Sequence, residues 1–240
     1  MQANTKGFPD QMPEKSNSSH LEKHVKETIA TYDQIADSYH LVATKEHKAW
    51  IEESMGLFVN DLEVVNDLQG KRVLVAGCGE GRDSMYLTTL GMTVDSFDLS
   101  KSMLAIAKKN DPQGNYFQHD LREVESIPGF YDGIWASACL YHLTKAEFVD
   151  CLEGIRKKLK PGGVLFGNFK LGDGEGFIEV PRSGYPGDEV AREKLRGRRF
   201  YSFYRVDELE QLFSRFEILR CRKDILKEGD GAVEFWLRKS

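Results

Sequence analysis

The sequence predicts an α/β fold in which a mostly parallel sheet carries helices on both faces. Three observations predict it. From Gly70 onward, short apolar strands alternate with helices, the rhythm of right-handed βαβ units. The first strand runs into a glycine turn, Val73-Leu74-Val75-Ala76-Gly77-Cys78-Gly79-Glu80-Gly81-Arg82. The chain also ends on two strands separated only by Lys227-Glu228-Gly229-Asp230-Gly231. That connection is too short for a parallel crossover, so the pair is an antiparallel hairpin.

The elements follow in order. Residues 1–20 are rich in Pro, Asn, Ser and Lys and are expected to be disordered. Residues 21–68 read as two helices. Val25, Ile29, Tyr32, Ile35, Ala36 and Tyr39 recur at helical spacing, and Trp50, Ile51, Met55, Phe58 and Val59 form the inner side of a helix after Thr44. Residues 69–240 hold the α/β domain. Strands are expected at 72–76, 92–97, 115–118, 131–137 and 164–169, and helices at 81–90 and 101–109, the latter capped by Ser100. Thr144-Lys145-Ala146-Glu147 is a capping box opening a helix that buries Phe148, Leu152, Ile155 and Leu159. Its end, with Lys157, Lys158 and Lys160 before Pro161-Gly162-Gly163, suits a negative helix terminus. Residues 171–204 break the rhythm with many Gly, Arg and Glu, and read as an insertion beside the acceptor site. A helix from Val206, a strand from Phe216 and a strand over 232–237 complete the chain.

Composition narrows the function. Lys and Arg number 33 against 38 Asp and Glu, a formal charge of -5, which disfavours a chain built to neutralise phosphate backbones. With 40% hydrophobic residues the domain can bury a substantial core. No apolar run is long enough to span a membrane, and the polar start does not read as a signal peptide. Cys78, Cys139, Cys151 and Cys221 lack metal-site spacing and fit reduced thiols better than a disulfide framework, so no metal and a cytoplasmic setting are expected.

Six stretches carry candidate chemistry. Gly77, Gly79 and Gly81 stand between a strand and a helix, where glycines let a ligand approach the backbone. A phosphate-binding P-loop would need Lys-Ser/Thr after the last glycine, and a dinucleotide fingerprint would need glycine at Arg82. Asp98, ending the second strand, is placed to accept both hydroxyl protons of an adenosine ribose, or else to cap the amides that follow it. Asp120 and Leu121, after the third strand, suit the edge and face of an adenine, or an ordinary loop. Ser137 to His142 follow the fourth strand at mid-crevice; His142 there is either a general base or a residue ordering the loop, and Tyr141 a packing residue. Tyr32 and Tyr39 share a helix face and lie over the ligand mouth or in the core. Arg196, Arg198, Arg199 and Tyr201 form a basic, aromatic run that contacts an anionic or planar acceptor, or is a solvated charge run.

Together these residues resemble a class I S-adenosylmethionine-dependent methyltransferase of the small-molecule type with N-terminal lid helices. VLVAGCGEGRDS is similar to the family's first motif and DSFDLSKSMLAIAKK to its second. YDGIWASACLYHL and LKPGGVLF are similar to its fourth and fifth. The resemblance implies a Rossmann-like seven-stranded sheet of order 3-2-1-4-5-7-6 with the seventh strand antiparallel. It implies S-adenosylmethionine as cofactor, with Gly77, Cys78, Gly79 and Gly81 around its methionine and ribose portions and Asp98 on the ribose hydroxyls. Leu99, Met103, Asp120 and Leu121 would surround the adenine, while Arg82, Ser137, Tyr32 and Tyr39 would face the methionine side. Val75 stands where the family usually carries an acid beneath the turn.

The implied reaction is an in-line displacement at a sulfonium methyl, in which orientation supplies much of the rate and a base is optional. The place after strand four reads Ser137-Ala138-Cys139-Leu140 rather than the Asn/Asp-Pro-Pro-aromatic motif of base-amine enzymes. A small-molecule acceptor is therefore expected and nucleic acid disfavoured. Tyr141, Lys170, Arg196, Arg198, Arg199 and Tyr201 are its candidate contacts. The acceptor atom and oligomeric state stay open. An RNA or protein acceptor, a nicotinamide oxidoreductase and a non-catalytic cofactor-binding subunit are the competing readings.

Overall fold

A computed structural model describes residues 22–42, 45–62, 68–180, 193–225 and 231–240. The expectation for residues 1–20 and the turn over 226–230 fall outside them. Two helices, α1 (Lys23–Ile35) and α2 (Lys45–Leu62), precede the sheet. Then come β1 (Arg72–Ala76), α3 (Arg82–Thr89), β2 (Thr93–Asp98), α4 (Lys101–Asn110), β3 (Asn115–Gln118), β4 (Tyr131–Ala136), α5 (Lys145–Lys158) and β5 (Leu159–Leu171). The chain continues through β6 (Glu175–Val180), β7 (Gly197–Tyr204), α6 (Val206–Leu212), β8 (Phe216–Ile225) and β9 (Gly231–Lys239).

The main sheet runs β3-β2-β1-β4-β5-β9-β8. All neighbours are parallel except β9, which is antiparallel to both β5 and β8. That is the expected seven-stranded order. Two further strands extend it: β6 and β7 pair antiparallel with each other, and β7 joins β5 in parallel through Lys170↔Phe203 and Leu171↔Tyr204. Residues 171–204 gave no strand signal because their alternation is carried by arginines rather than by a clean apolar/polar pattern. In β7, Arg198 is exposed and Arg199 buried, the period-2 alternation of a strand.

Each sheet face has its own core. Leu74, Ala76, Ile134 and Leu165 meet α5 through Phe148, Cys151, Leu152 and Ile155. The alternate residues Val73, Val75, Trp135, Val164 and Phe166 meet α2 through Ile51, Met55, Phe58, Val59 and Leu62. Fully burying side chains of this size stabilises by about 1.5–3 kcal/mol each, which holds α2 on the sheet. Gly133 permits the close approach, since a Cβ there would lie 2.6 Å from the Phe58 ring. Trp135 stacks on Phe166 with centroids 3.9 Å apart.

α1 lies along β7 and roofs the carboxyl ends of the strands. The Phe200 N–H donates to Thr28 Oγ1 at 3.0 Å, and Thr31 Oγ1 donates to the Arg198 carbonyl at 2.7 Å. Asp33 accepts from Ser100 Oγ (2.6 Å) and the Ser102 amide (3.1 Å), tying α1 to the start of α4. The helix expected to carry both tyrosines becomes a 3-10 segment at Ala36–Val42, which holds Tyr39. Its ring still packs edge-on to Tyr32 at 5.8 Å.

Candidate active site

The carboxyl ends of β1, β2 and β4 open onto one cavity, closed above by Val25, Thr28, Ile29, Tyr32 and Tyr39. This is where ligands bind in sheets of this kind, at the point where strand order reverses. Its floor is the glycine turn. Gly77, Gly79 and Gly81 all adopt left-handed backbone, with φ of 64°, 53° and 88°. The outer two are also packed: a Cβ would lie 2.4 Å from Cys139 Cβ at Gly77 and 2.9 Å from the Tyr116 hydroxyl at Gly81. At Gly79 a Cβ would meet nothing within 4 Å. The middle glycine therefore fronts open space, with Cys78 beside it in the cavity wall.

Asp98 closes the turn. Its Oδ2 accepts the Gly79 amide and its Oδ1 the Ser100 amide, both at 2.9 Å. Burial pushes its carboxyl above the usual carboxylate range, and these amides oppose the shift. Each oxygen keeps acceptor capacity on the cavity side, which Asp98 lines with Leu99 and Met103. Asp120 and Leu121 also line the cavity. Asp120 is already engaged, because both its oxygens accept from Arg122, at 2.7 Å in the shortest contact.

Arg82 and Asp83 form the next wall, joined through Nε and Oδ1 at 2.7 Å. The Trp135 indole N–H donates to the other Asp83 oxygen at 2.8 Å. The sequence reading missed Asp83. The first turn of α3 puts its carboxylate into the site, although Val75 beneath the turn is apolar and 1% exposed.

After β4 the backbone is strained. Ala138 has φ 57°, and its amide donates to Asn168 Oδ1 at 2.7 Å. A left-handed alanine costs on the order of 1–3 kcal/mol and persists only where the surroundings enforce it. Asn168 was also missed, although a lone amide in the apolar run VLFGNF was a signal. Ser137 lines the cavity with a buried hydroxyl that has no hydrogen-bond partner among the described residues. A buried polar atom left this way costs free energy unless a ligand satisfies it.

Both ring nitrogens of His142 are in use. Its Nδ1 lies 2.6 Å from the Phe200 carbonyl, which only accepts, so Nδ1 carries the proton. Its Nε2 then accepts from the Tyr32 hydroxyl at 2.8 Å. Burial, with the Arg199 and Lys170 charges beside it, depresses its pKa to about 3. His142 is thus neutral and reaches the cavity through Tyr32. Burial likewise raises the Cys78 and Cys139 thiols, so neither is a thiolate nucleophile. All four cysteines are free.

Of the acceptor candidates, Tyr141 and Tyr201 stack at 5.1 Å, each within 5.0 Å or less of the His142 ring. Lys170 stands near the end of β5, opposite Phe203 of β7. The arginine run divides. Arg196 and Arg198 are exposed and lie 3.5 and 3.6 Å from Glu193 and Glu27, while Arg199 is buried with its guanidinium 4.7 Å over the Tyr32 ring.

Comparison with known proteins gives the context. Residues 73–163 match the family described as a methyltransferase domain. An uncharacterized methyltransferase of Synechocystis sp. is 35% identical over 96 residues, covering 40% of this chain and 45% of that protein. The match thus spans less than half of the relative's length. Among solved structures, magnesium protoporphyrin IX methyltransferase from Synechocystis, with bound S-adenosylhomocysteine, is 16% identical with a TM-score of 0.64, covering 91% of this chain and 100% of that one. The [4+2]-cyclase SpnF is 16% identical with a TM-score of 0.62, covering 88% of this chain and 94% of that one. These two likenesses establish the fold, and a cyclase among them means that fold alone does not define a reaction. Motif, sheet order and family match agree: residues 73–163 are similar to a methyltransferase domain, set in a sheet of the order expected for the class I S-adenosylmethionine-dependent fold.

Proposed function

We propose that the cavity binds S-adenosylmethionine and that the chain transfers its methyl group to a small-molecule acceptor. The observation that carries this is the Gly77–Gly79–Gly81 turn, open only at Gly79, with the Asp98 carboxylate fixed beside it. The wall fits the cofactor. Asp98 has capacity for both ribose hydroxyls, Leu99 and Met103 offer apolar flanks for the adenine, and Leu121 and the remaining acceptor capacity of Asp120 serve its edge. Ser137 supplies a hydroxyl in need of a partner. Arg82 and Asp83 suit the carboxylate and ammonium of a methionine portion, with Asp83 taking the place of the acid that Val75 lacks.

The cofactor, when bound, supplies an electrophilic methyl group on a sulfonium. The chain's residues orient and exclude. α1 and the 3-10 segment after it close the cavity with Tyr32 and Tyr39, keeping water from the reacting end. Holding two reactants in line contributes up to roughly 7–11 kcal/mol in ideal cases. Tyr32 donates its proton to His142 and accepts from Arg199 Nη1 at 3.3 Å, so its hydroxyl has a fixed direction. With its pKa held down, His142 acts as a positioning residue for Tyr32 rather than as a strong base.

A small acceptor is favoured over a polyanion because Arg196 and Arg198 each have an acid alongside. Among the described residues no helix is long and apolar enough to cross a membrane. The four free thiols support a reducing, cytoplasmic setting. Calorimetry with S-adenosylhomocysteine and with NAD tests the cofactor, and NAD binding without S-adenosylhomocysteine binding would overturn the reading. Labelled-methyl transfer over a metabolite extract then identifies the acceptor.

A further inference from the structure

We infer that Arg199 anchors the acceptor, and that the acceptor presents a carboxylate beside a planar body. This rests on the methyl-transfer reading above. The inward-facing position in β7 leaves Arg199 only 8% exposed, with no carboxylate in contact among the described residues. Its Nη1 donates to Tyr32, and its Nε is buried with no hydrogen-bond partner among the described residues. Buried arginines are ordinarily paired, because an uncompensated charge away from water is strongly destabilising. The neighbouring Arg196, just before the strand, and Arg198 within it show the ordinary arrangement, each exposed and beside a glutamate. Arg199 is the exception.

Its surroundings describe the missing partner. Its guanidinium lies 4.7 Å over the Tyr32 ring, and Tyr39 and Tyr201 are further phenols whose charge it feels. Tyr32 and Tyr39 line the cavity, and Tyr201 stacks on Tyr141. A guanidinium fork matches a carboxylate in plane, and aromatic walls suit a flat body attached to it. Lys170, paired with β7 at the end of the sheet, adds positive charge near His142. A carboxylate could also come from the cofactor's methionine portion. Arg82 and Asp83, beside the glycine turn, already suit that zwitterion, whereas Arg199 stands on the β7 side with Tyr141, His142 and Tyr201.

The test titrates benzoate and its neutral analogue benzamide into the protein, with and without saturating S-adenosylhomocysteine. Benzoate is expected to bind at least about tenfold more tightly. Arg199→Met should abolish that preference, leave S-adenosylhomocysteine affinity within about twofold, and raise the ligand-free Tm by about 2–4 °C by removing an unpaired charge. Arg199→Lys should keep part of the preference. Equal binding of the two probes to the unaltered protein would overturn the inference, as would a preference surviving in Arg199→Met. A lower Tm for Arg199→Met would make the residue a structural brace and also overturn it. Weakened S-adenosylhomocysteine binding would assign Arg199 to the cofactor instead. Absence of S-adenosylhomocysteine binding in the unaltered protein would sink the methyl-transfer reading, while the ligand-free benzoate comparison still decides the anion site.

Discussion

Replacing Asp98 with asparagine separates a brace from a ligand. The carboxylate accepts two backbone N–H groups, from Gly79 and Ser100, each at 2.9 Å and each on a different oxygen. Asparagine has one oxygen, so in either orientation its NH2 confronts one of those donors. One charge-assisted hydrogen bond is lost, worth about 1.5–3 kcal/mol, in a buried site where water cannot replace it. Asp98→Asn should therefore lower ligand-free stability by about 1–3 kcal/mol in urea unfolding. The same exchange removes an acceptor for one ribose hydroxyl. S-adenosylhomocysteine affinity should fall about 10–100-fold by calorimetry, or about 1.4–2.8 kcal/mol. If stability drops while affinity holds, Asp98 only braces the turn, and the assignment of the ribose to it is wrong.

The glycines should divide in the same way. Gly79→Ala, at φ 53° but with free space, is expected to cost only about 1–2 kcal/mol of stability yet at least tenfold in cofactor affinity, while Gly77→Ala meets Cys139 at 2.4 Å and should cost about 2–4 kcal/mol outright; melts and calorimetry read both. His142 has a folded pKa near 3 against an ordinary 6.5, so the unfolded chain binds the extra proton between those values. Its contribution is present above pH 6.5 and lost as pH falls toward 3, with a slope of up to about 1.4 kcal/mol per pH unit; His142→Gln should flatten urea midpoints over that window, and an unchanged slope would contradict a neutral, buried imidazole. Glu234 is 0% exposed and accepts from Ser54 and from Arg222, at 2.5 and 2.7 Å. Glu234→Ala leaves Arg222 with Glu53 and Ser54 but removes the buried acceptor and its packing, and should destabilise by about 1–3 kcal/mol in urea unfolding, with Glu234→Gln milder.

Much of this was legible because local and global signals agreed. β1, β3 and the α4 cap at Ser100 emerge where periodicity and capping chemistry coincide, and the Thr144–Glu147 capping box forms as written. The terminal hairpin was readable from connection length alone. What escaped depends on contacts distant in sequence. β7 is a strand because Arg199 can turn inward toward Tyr32 and because Thr28 and Thr31 of α1 meet its backbone. Nothing in LRGRRF announces that, since three basic residues in four read equally as a solvated run. Asp83 is placed by the Trp135 indole, 52 positions away. The pairing of His142 with Tyr32 spans 110 positions. A histidine at mid-crevice suggested a base, and only the fold shows both of its nitrogens committed.

The titratable groups of the cavity then argue for one kind of chemistry. Burial lifts the Cys78 and Cys139 thiols and the Tyr32 and Tyr141 phenols away from their charged forms and holds His142 neutral. A wall so arranged offers neither an activated nucleophile nor a base poised near neutral pH. What it does offer is fixed charge: Asp98 and the Arg82–Asp83 pair line the cavity at the glycine turn, and Arg199 stands behind the Tyr32 ring. A reaction that draws its driving force from a cofactor sulfonium needs only such placement, provided the acceptor arrives already nucleophilic. Burial first, and the Arg199 and Lys170 charges after it, keep His142 weakly basic. A hydroxyl or ammonium acceptor would ask of this site a base that burial has taken away.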